Sequence, residues 1–161
     1  MKLSSQEEYG LRCLLQIGRM GDAGSLTIAE MSQREGISAP NVAKLMRILR
    51  RAGLVKSTRG KAGGYTLSRP AAEIPVGEVL GALGGRLFDA TFCEHHTGLE
   101  RLCLNDSDCS IRPVLRHIQD AVDQVLAQLT IQSLLRSERE VAVSITISPR
   151  AVPLPLASRP S

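Results

Sequence analysis

Apolar residues recur at steps of three and four over the first fifty positions, a period that predicts helices. Leu11, Leu14, Leu15 and Ile17 form one stripe of a helix from Leu3 to about Met20, and the turn residues Gly21, Asp22, Ala23 and Gly24 end it. Thr27-Ile28-Ala29-Glu30 has capping-box spacing, so a short second helix should run to Glu35 and stop at Gly36. A third helix takes Ser38 as N-cap, admits Pro40 in its first turn and carries Val42, Leu45, Met46 and Leu49 to Gly53. The period then changes. Residues 54–59 and 64–68 predict two short strands, joined by the glycine-rich loop Gly60-Lys61-Ala62-Gly63. Three helices followed by a two-stranded hairpin is the order of a winged helix-turn-helix.

Pro75 opens a fourth helix through Leu83, closed by Gly84 and Gly85. Residues 88–108 show no period. Ser110 then caps a long helix whose seam is Ile111, Leu115, Ile118, Val122, Val125 or Leu126, and Leu129, with acidic and amide residues on its outer face. That seam can pack back on its own domain or against a second copy. So small a domain has limited core to offer a helix of about five turns, so a homodimer is expected. Thr130 caps a further short helix to Leu135. Val141, Val143, Ile145 and Ile147 alternate and predict a strand over 141–147, before Pro149, Pro153, Pro155 and Pro160 disfavour further folded structure. The expected fold is mainly α. A winged helix-turn-helix domain covers 1–85, a cysteine-containing loop 86–109, a dimerisation helix with a short terminal helix 110–137, and a tail 138–161.

Composition narrows this picture. Tyr9, Tyr65, Phe88 and Phe92 are the only aromatic residues among 161, so the core must be aliphatic. No apolar run approaches the roughly eighteen residues of a membrane span, and the N-terminus lacks a secretory h-region, so a cytoplasmic protein is expected. The net charge of +4 is unevenly spread. Between Gly36 and Ala72 there is no Asp or Glu, while Lys44, Arg47, Arg50, Arg51, Lys56, Arg59, Lys61 and Arg69 all fall there. The other segments keep twelve of the twenty basic residues against all sixteen acids, so +8 and −4 make the net charge. A cationic face on an otherwise mildly anionic protein suits a polyanion.

The third helix is the expected recognition helix, with Ser38, Asn41, Lys44 and Arg47 on one polar and basic face. Asn41 can pair with an adenine edge, and Lys44 and Arg47 can reach guanine or phosphate. Arg59 and Lys61 put two cations on a narrow wing tip able to enter a minor groove, and Gly63-Gly64 lets backbone approach phosphates. Few aromatics argue for double-stranded DNA over single strands, which are held by stacking. No phosphate-binding glycine loop, HExxH or serine elbow is present, so no enzymatic activity or small-molecule substrate is indicated.

Cys93, Cys103 and Cys109 are spaced C-x9-C-x5-C in the irregular loop. Such clusters in a cytosolic protein more often bind metal than form disulfides. Cys109 directly precedes the N-cap of the long helix, whose dipole favours thiolate or sulfide charge. From spacing, an iron-sulfur cluster and zinc stand level, with free thiols third. Cys13, on an apolar pattern in the first helix, reads as a small buried hydrophobe.

Met1-Lys2-Leu3-Ser4, Gly53-Leu54-Val55, the wing from Arg59 to Leu67 and the three-cysteine loop before a long helix together resemble the Rrf2 family of bacterial regulators, over Met1 to about Leu135. The resemblance implies a homodimer on a near-palindromic DNA operator, with an iron-sulfur cluster held mainly by Cys93, Cys103 and Cys109, a 2Fe-2S centre set ahead of 4Fe-4S. Two departures stand out. The first cysteine gap is longer than in better-known members, and Arg112 occupies the place, three residues past the last cysteine, where some carry a ligating His. Other members use a carboxylate of the first helix, and Glu8 stands at that position; its plainer reading is an acid favoured by the helix dipole. His95, His96, His117 and Asp106 remain candidates. The rival functions are a winged-helix regulator with structural zinc or a thiol redox switch, and, from another class, a small iron-sulfur electron carrier, which would need no cationic wing.

Overall fold

The computed structural model describes residues 4–21, 24–58, 63–86, 88 and 108–146. Its elements are α1 (Ser5–Arg19), α2 (Ile28–Glu35), α3 (Ala39–Arg51), β1 (Val55–Thr58), β2 (Gly64–Leu67), a 3-10 turn (Ala71–Glu73), α4 (Val76–Gly84), α5 (Ile111–Leu126), α6 (Ile131–Leu134) and α7 (Glu138–Thr146). The mainly helical class and the two-stranded antiparallel wing expected from sequence are both present.

α1 is the central post. Its apolar stripe buries Cys13, Leu14 and Ile17, and α2, α3, α4, α6 and β2 all pack against it. Around it Leu26, Met31, Met46, Leu49, Leu54, Ile74, Val79 and Ile131 complete an aliphatic core. Gly10 is what lets α4 close on α1, since a β-carbon there would lie 2.4 Å from Leu83 Cδ1. Ser4 and Glu7 form the α1 capping box, with Glu7 Oε2 accepting from the Ser4 amide (2.7 Å) and hydroxyl (2.9 Å).

Thr27 and Glu30 form the capping box that starts α2, and Gly36 ends it at φ +65°. The Ile37 amide reaches the Ser32 carbonyl (3.2 Å), the Ser32 hydroxyl donates to the Ile37 carbonyl (2.6 Å), and Ile37 itself is buried. These contacts define the turn into α3. Ser38 and Ser110 occupy N-cap positions, but neither side chain makes a capping bond, so both helices start without the hydroxyl cap expected of them. In β1 and β2, Val55 pairs with Leu67 and Thr58 with Gly64.

Two expectations are corrected. Residues 141–147 were expected as a strand; residues 138–146 form α7, and residue 147 lies outside the described residues. A capping box at Ser137 and Glu140 explains the difference: the Ser137 amide (2.9 Å) and hydroxyl (2.7 Å) both donate to Glu140 Oε2. Glu138, Arg139 and Glu140 suit its first turn, whereas a lone strand would leave its backbone groups without a ladder. The long helix also ends at Leu126 and not Leu129, whose carbonyl instead accepts from the Val76 amide (2.9 Å).

Hydrogen bonds from the Thr27 backbone and hydroxyl hold the Glu30 carboxyl below the usual carboxylate range, and those from the Ser137 hydroxyl and backbone do the same for Glu140. Such depressed groups stabilise fully above the unfolded carboxylate pKa, about 4.3, and that contribution is lost as pH falls through the folded value. Far-UV circular dichroism should therefore show α2 and α7 loosening below about pH 4.5. Glu30→Gln and Glu140→Gln should remove part of that acid dependence and lower the thermal midpoint at neutral pH.

Candidate nucleic-acid interface and cysteine loop

α3 stands at the surface because its two faces differ. Val42, Leu45, Met46 and Leu49 are buried, and Ser38, Asn41, Lys44 and Arg47 are exposed on the other side. Arg50, Arg51 and Lys56 are exposed as well, and Arg50 Nη1 reaches Ser57 Oγ at 3.4 Å, linking the end of α3 to the wing. Among the described residues, the ion pairs are Arg12 with Glu8 and Glu35, Arg69 with Glu78, and Arg86 with Asp123. None of them uses a cation of α3. Arg69 is different: it pairs with Glu78 and its Nε donates to the Glu73 carbonyl (2.9 Å), so it braces α4 and does not add to the cationic face.

The ion pair that sets the helix-turn-helix is Arg12 to Glu35. Arg12 Nε lies 2.6 Å from Glu35 Oε2, its Nη2 donates to the Glu35 carbonyl (2.8 Å), and Gln16 donates to the other carboxylate oxygen. The last turn of α2 is thus fastened to α1 just before the turn into α3. The hydrogen bond it donates to Glu35 raises the Arg12 pKa above its ordinary value.

The wing is anchored by a backbone pair. The Tyr65 amide donates to Leu26 O (2.8 Å) and the Leu26 amide to Tyr65 O (3.1 Å). A β-carbon at Gly64 would lie 2.9 Å from the Leu26 backbone, so this glycine serves the approach of the α1–α2 linker to β2. Arg59 and Lys61 at the wing tip lie outside the described residues.

The same holds for Cys93, His95, His96, Cys103 and Asp106. Cys109 is described, half-buried, and stands immediately before Ser110 and α5. Soft thiolates so placed fit an iron-sulfur cluster or zinc. Glu8 projects outward, with its side chain 63% exposed, and its partner is Arg12 at 3.5 Å. His117 is half-buried in the second turn of α5. Cys13 is fully buried, and burial pushes its thiol up to about 11, which keeps it protonated and unreactive.

Sequence reasoning missed Gln119, set down as part of the outer polar face of the long helix; it is only 4% exposed. It accepts from the Phe88 amide (2.9 Å) and donates to Asp123 Oδ1 (2.7 Å), and Asp123 pairs with Arg86. The apolar seam of α5 divides. Leu126 packs on Gly77 of α4, while Ile111, Val114, Ile118 and Val125 face outward, between 36% and 63% exposed.

The chain matches the Rrf2 family, described as iron-dependent transcriptional regulators, over residues 3–137. It is 33% identical over 144 residues to the HTH-type transcriptional regulator IscR of Escherichia coli, covering 89% of this chain and 86% of that one. Among solved structures it is similar to CymR, the global cysteine regulator of B. subtilis, with TM-score 0.67 and 29% identity over 84% of this chain and 96% of that one. It is also similar to T. potens IscR, with TM-score 0.65 and 27% identity over 84% and 86%. Family, fold and exposed cationic α3 agree: the chain belongs to the Rrf2 family of winged-helix DNA-binding transcriptional regulators and is not an enzyme.

Proposed function

We propose that the chain is a cytoplasmic homodimeric regulator whose binding to a double-stranded operator is set by an iron-sulfur cluster held by Cys93, Cys103 and Cys109. The observation that carries the DNA half is the exposed face of α3, which no acidic side chain neutralises among the described residues. Asn41 and Ser38 meet base edges, Lys44 and Arg47 meet guanine or phosphate, and Arg59 and Lys61 enter the minor groove from the wing. The likeness to E. coli IscR supports the cluster, and the cysteine loop supplies thiolates suited to it. Bound there, the cluster supplies an iron centre responsive to oxidation, nitric oxide or iron supply. Cys109 carries its thiolate on the end of α5, so a change at the thiolate acts directly on that helix. Glu8 is the fourth ligand in this reading, released from the exposed and weak pair with Arg12.

The outward seam of α5 is the dimer contact. Ile111, Val114, Ile118 and Val125 follow steps of three, four and seven and stay in water unless a second copy covers them. A second reading, a thiol switch without a cluster, draws on the likeness to CymR, titled a global cysteine regulator.

Protein purified without oxygen should be brown, absorb broadly near 400 nm (roughly, as thiolate-bound clusters do) and contain iron and acid-labile sulfide; Cys103→Ala should lose all three. Stoichiometric zinc, or no metal, would leave the structural-zinc or thiol reading. In DNA-binding titrations against salt, Lys44→Ala should reduce the slope of log K by roughly 0.9 for a lost phosphate contact. Arg69→Ala should leave that slope unchanged, because Arg69 is held by Glu78. Half-sites should lie about 10 base pairs apart. Val114→Glu with Ile118→Glu, both on exposed positions, should leave the fold intact and sediment as a monomer.

A further inference from the structure

The exposed apolar surface gathers on two helices. Among the described residues, the large apolar side chains that stand exposed are Met20, then Ile111, Val114, Ile118 and Val125 of α5, and Val143 and Ile145 of α7. α7 lies beyond the stretch that matches the family, which ends at residue 137. Between it and the C-terminal half of α5 runs a groove of about 530 Å³, open to solvent. Ala121, Val125 and Gln128 form one wall and continue the line of the α5 seam, while Ser144 and Ile145 belong to the other. Val143 stands about 200° around α7 from Ile145 and does not line the groove.

The seam by itself is a small contact. Four side chains fall well short of the roughly 20–30 residues a side of a stable interface. A helix laid along the seam meets Val125, and beside Val125 it enters the groove and meets Ile145.

The two flanks of α5 decide how a second copy lies. Gln124 and Leu126 stand about 100° to either side of Val125. Leu126 packs on Gly77 of α4 and Gln124 lines the groove, so α4 and α7 hold opposite flanks of the same half of the helix. A two-fold axis relating parallel α5 helices would set the partner's α4 on the flank that α7 already fills. An axis relating antiparallel helices keeps both α4 flanks on one side and sets each α7 beside the N-terminal half of the partner's α5. Ile118 is seven residues from both Ile111 and Val125, so an antiparallel pair centred on it brings the partner's Ile111, 63% exposed, against Val125.

We propose that α7 is the second half of the dimer contact: in an antiparallel α5 pair, Val125 and Ile145 of one copy receive the partner's Ile111 between them. This rests on the reading of the chain as a homodimer joined through α5. Cys109 precedes Ile111 by two residues, so each α7 seats on the cysteine-bearing end of the partner's helix.

Sedimentation of the full chain over a range of concentrations, beside far-UV circular dichroism, tests this. Ile145→Ala keeps a good helix former on α7 and should weaken the dimer about tenfold, since the contact occurs twice in a symmetric pair. Ile111→Ala should weaken it about as much. The double variant should lose clearly less than the product of the two, because both substitutions remove one shared contact. Val143→Ala, on the far side of α7, should dimerise as wild type does. Wild-type affinity in Ile145→Ala, fully multiplicative losses in the double variant, or an equal loss in Val143→Ala would overturn the proposal and leave the α5 dimer standing. A wild type that stays monomeric throughout would overturn the α5 reading itself, and this proposal with it.

Discussion

The structure depends on the burial of one face of α1. Cys13, Leu14 and Ile17 are at most 1% exposed, and five other elements lean on the helix that carries them. Two of its features decide where those elements stop. Gly10 sets how near α4 comes, since any side chain there would meet Leu83. Arg12 sets where α2 ends, by holding both the side chain and the carbonyl of Glu35. Because α3 starts four residues later, after a turn closed by Ser32 and Ile37, the bearing of the cationic face is inherited from α1. The wing inherits its place from the same post, through Leu26 and Tyr65. A rigid reading head results without any exposed residue having to hold it.

Much of this was legible in the chain. Helix positions followed from the three-and-four spacing, and Thr27, Gly36 and Gly53 marked ends that the structure keeps. The Rrf2 resemblance and the exposed face of α3 were legible for the same reason, as they rest on local pattern. What stayed hidden is tertiary. The charge of Arg69 counts toward a basic segment in sequence and is consumed by Glu78 in space. Gly64 reads in sequence as room for backbone to approach phosphates and turns out to make room for the Leu26 backbone. Gln119 looks like solvent-facing polarity and is buried, because only the fold brings the Phe88 amide to it. At residues 138–146 the error was of period: four alternating β-branched residues suggested a strand, while Ser137 and Glu140 had already specified a helix start.

The second half of the molecule is joined to the first by less. Val122 and Leu126 of α5 line, with Gly77, Gly81 and Gly85, a groove of about 310 Å³ that opens to solvent. A β-carbon at Gly81 would meet nothing within 4 Å. α6 compensates at the other end, where the Ile131 amide donates to the Ile74 carbonyl (2.9 Å) and Ile131 is fully buried. α5 is thus held firmly near its C-terminal end and loosely along its length.

That asymmetry bears on how, in the proposed reading, a change at the cysteines would reach DNA. α1 and its dependents form a packed core, and close-packed cores are stiff and pass on strain. α5 makes few contacts with α4 and turns an apolar face outward. In a dimer joined through that face, a small tilt of α5 about its firm C-terminal end leaves each reading head intact and changes the distance between the two. Half-site spacing is the quantity to which paired recognition helices are most sensitive, since DNA offers equivalent groove positions only once per turn. A regulator with a stiff head and a softly seated dimer helix can therefore alter operator affinity without altering any base contact.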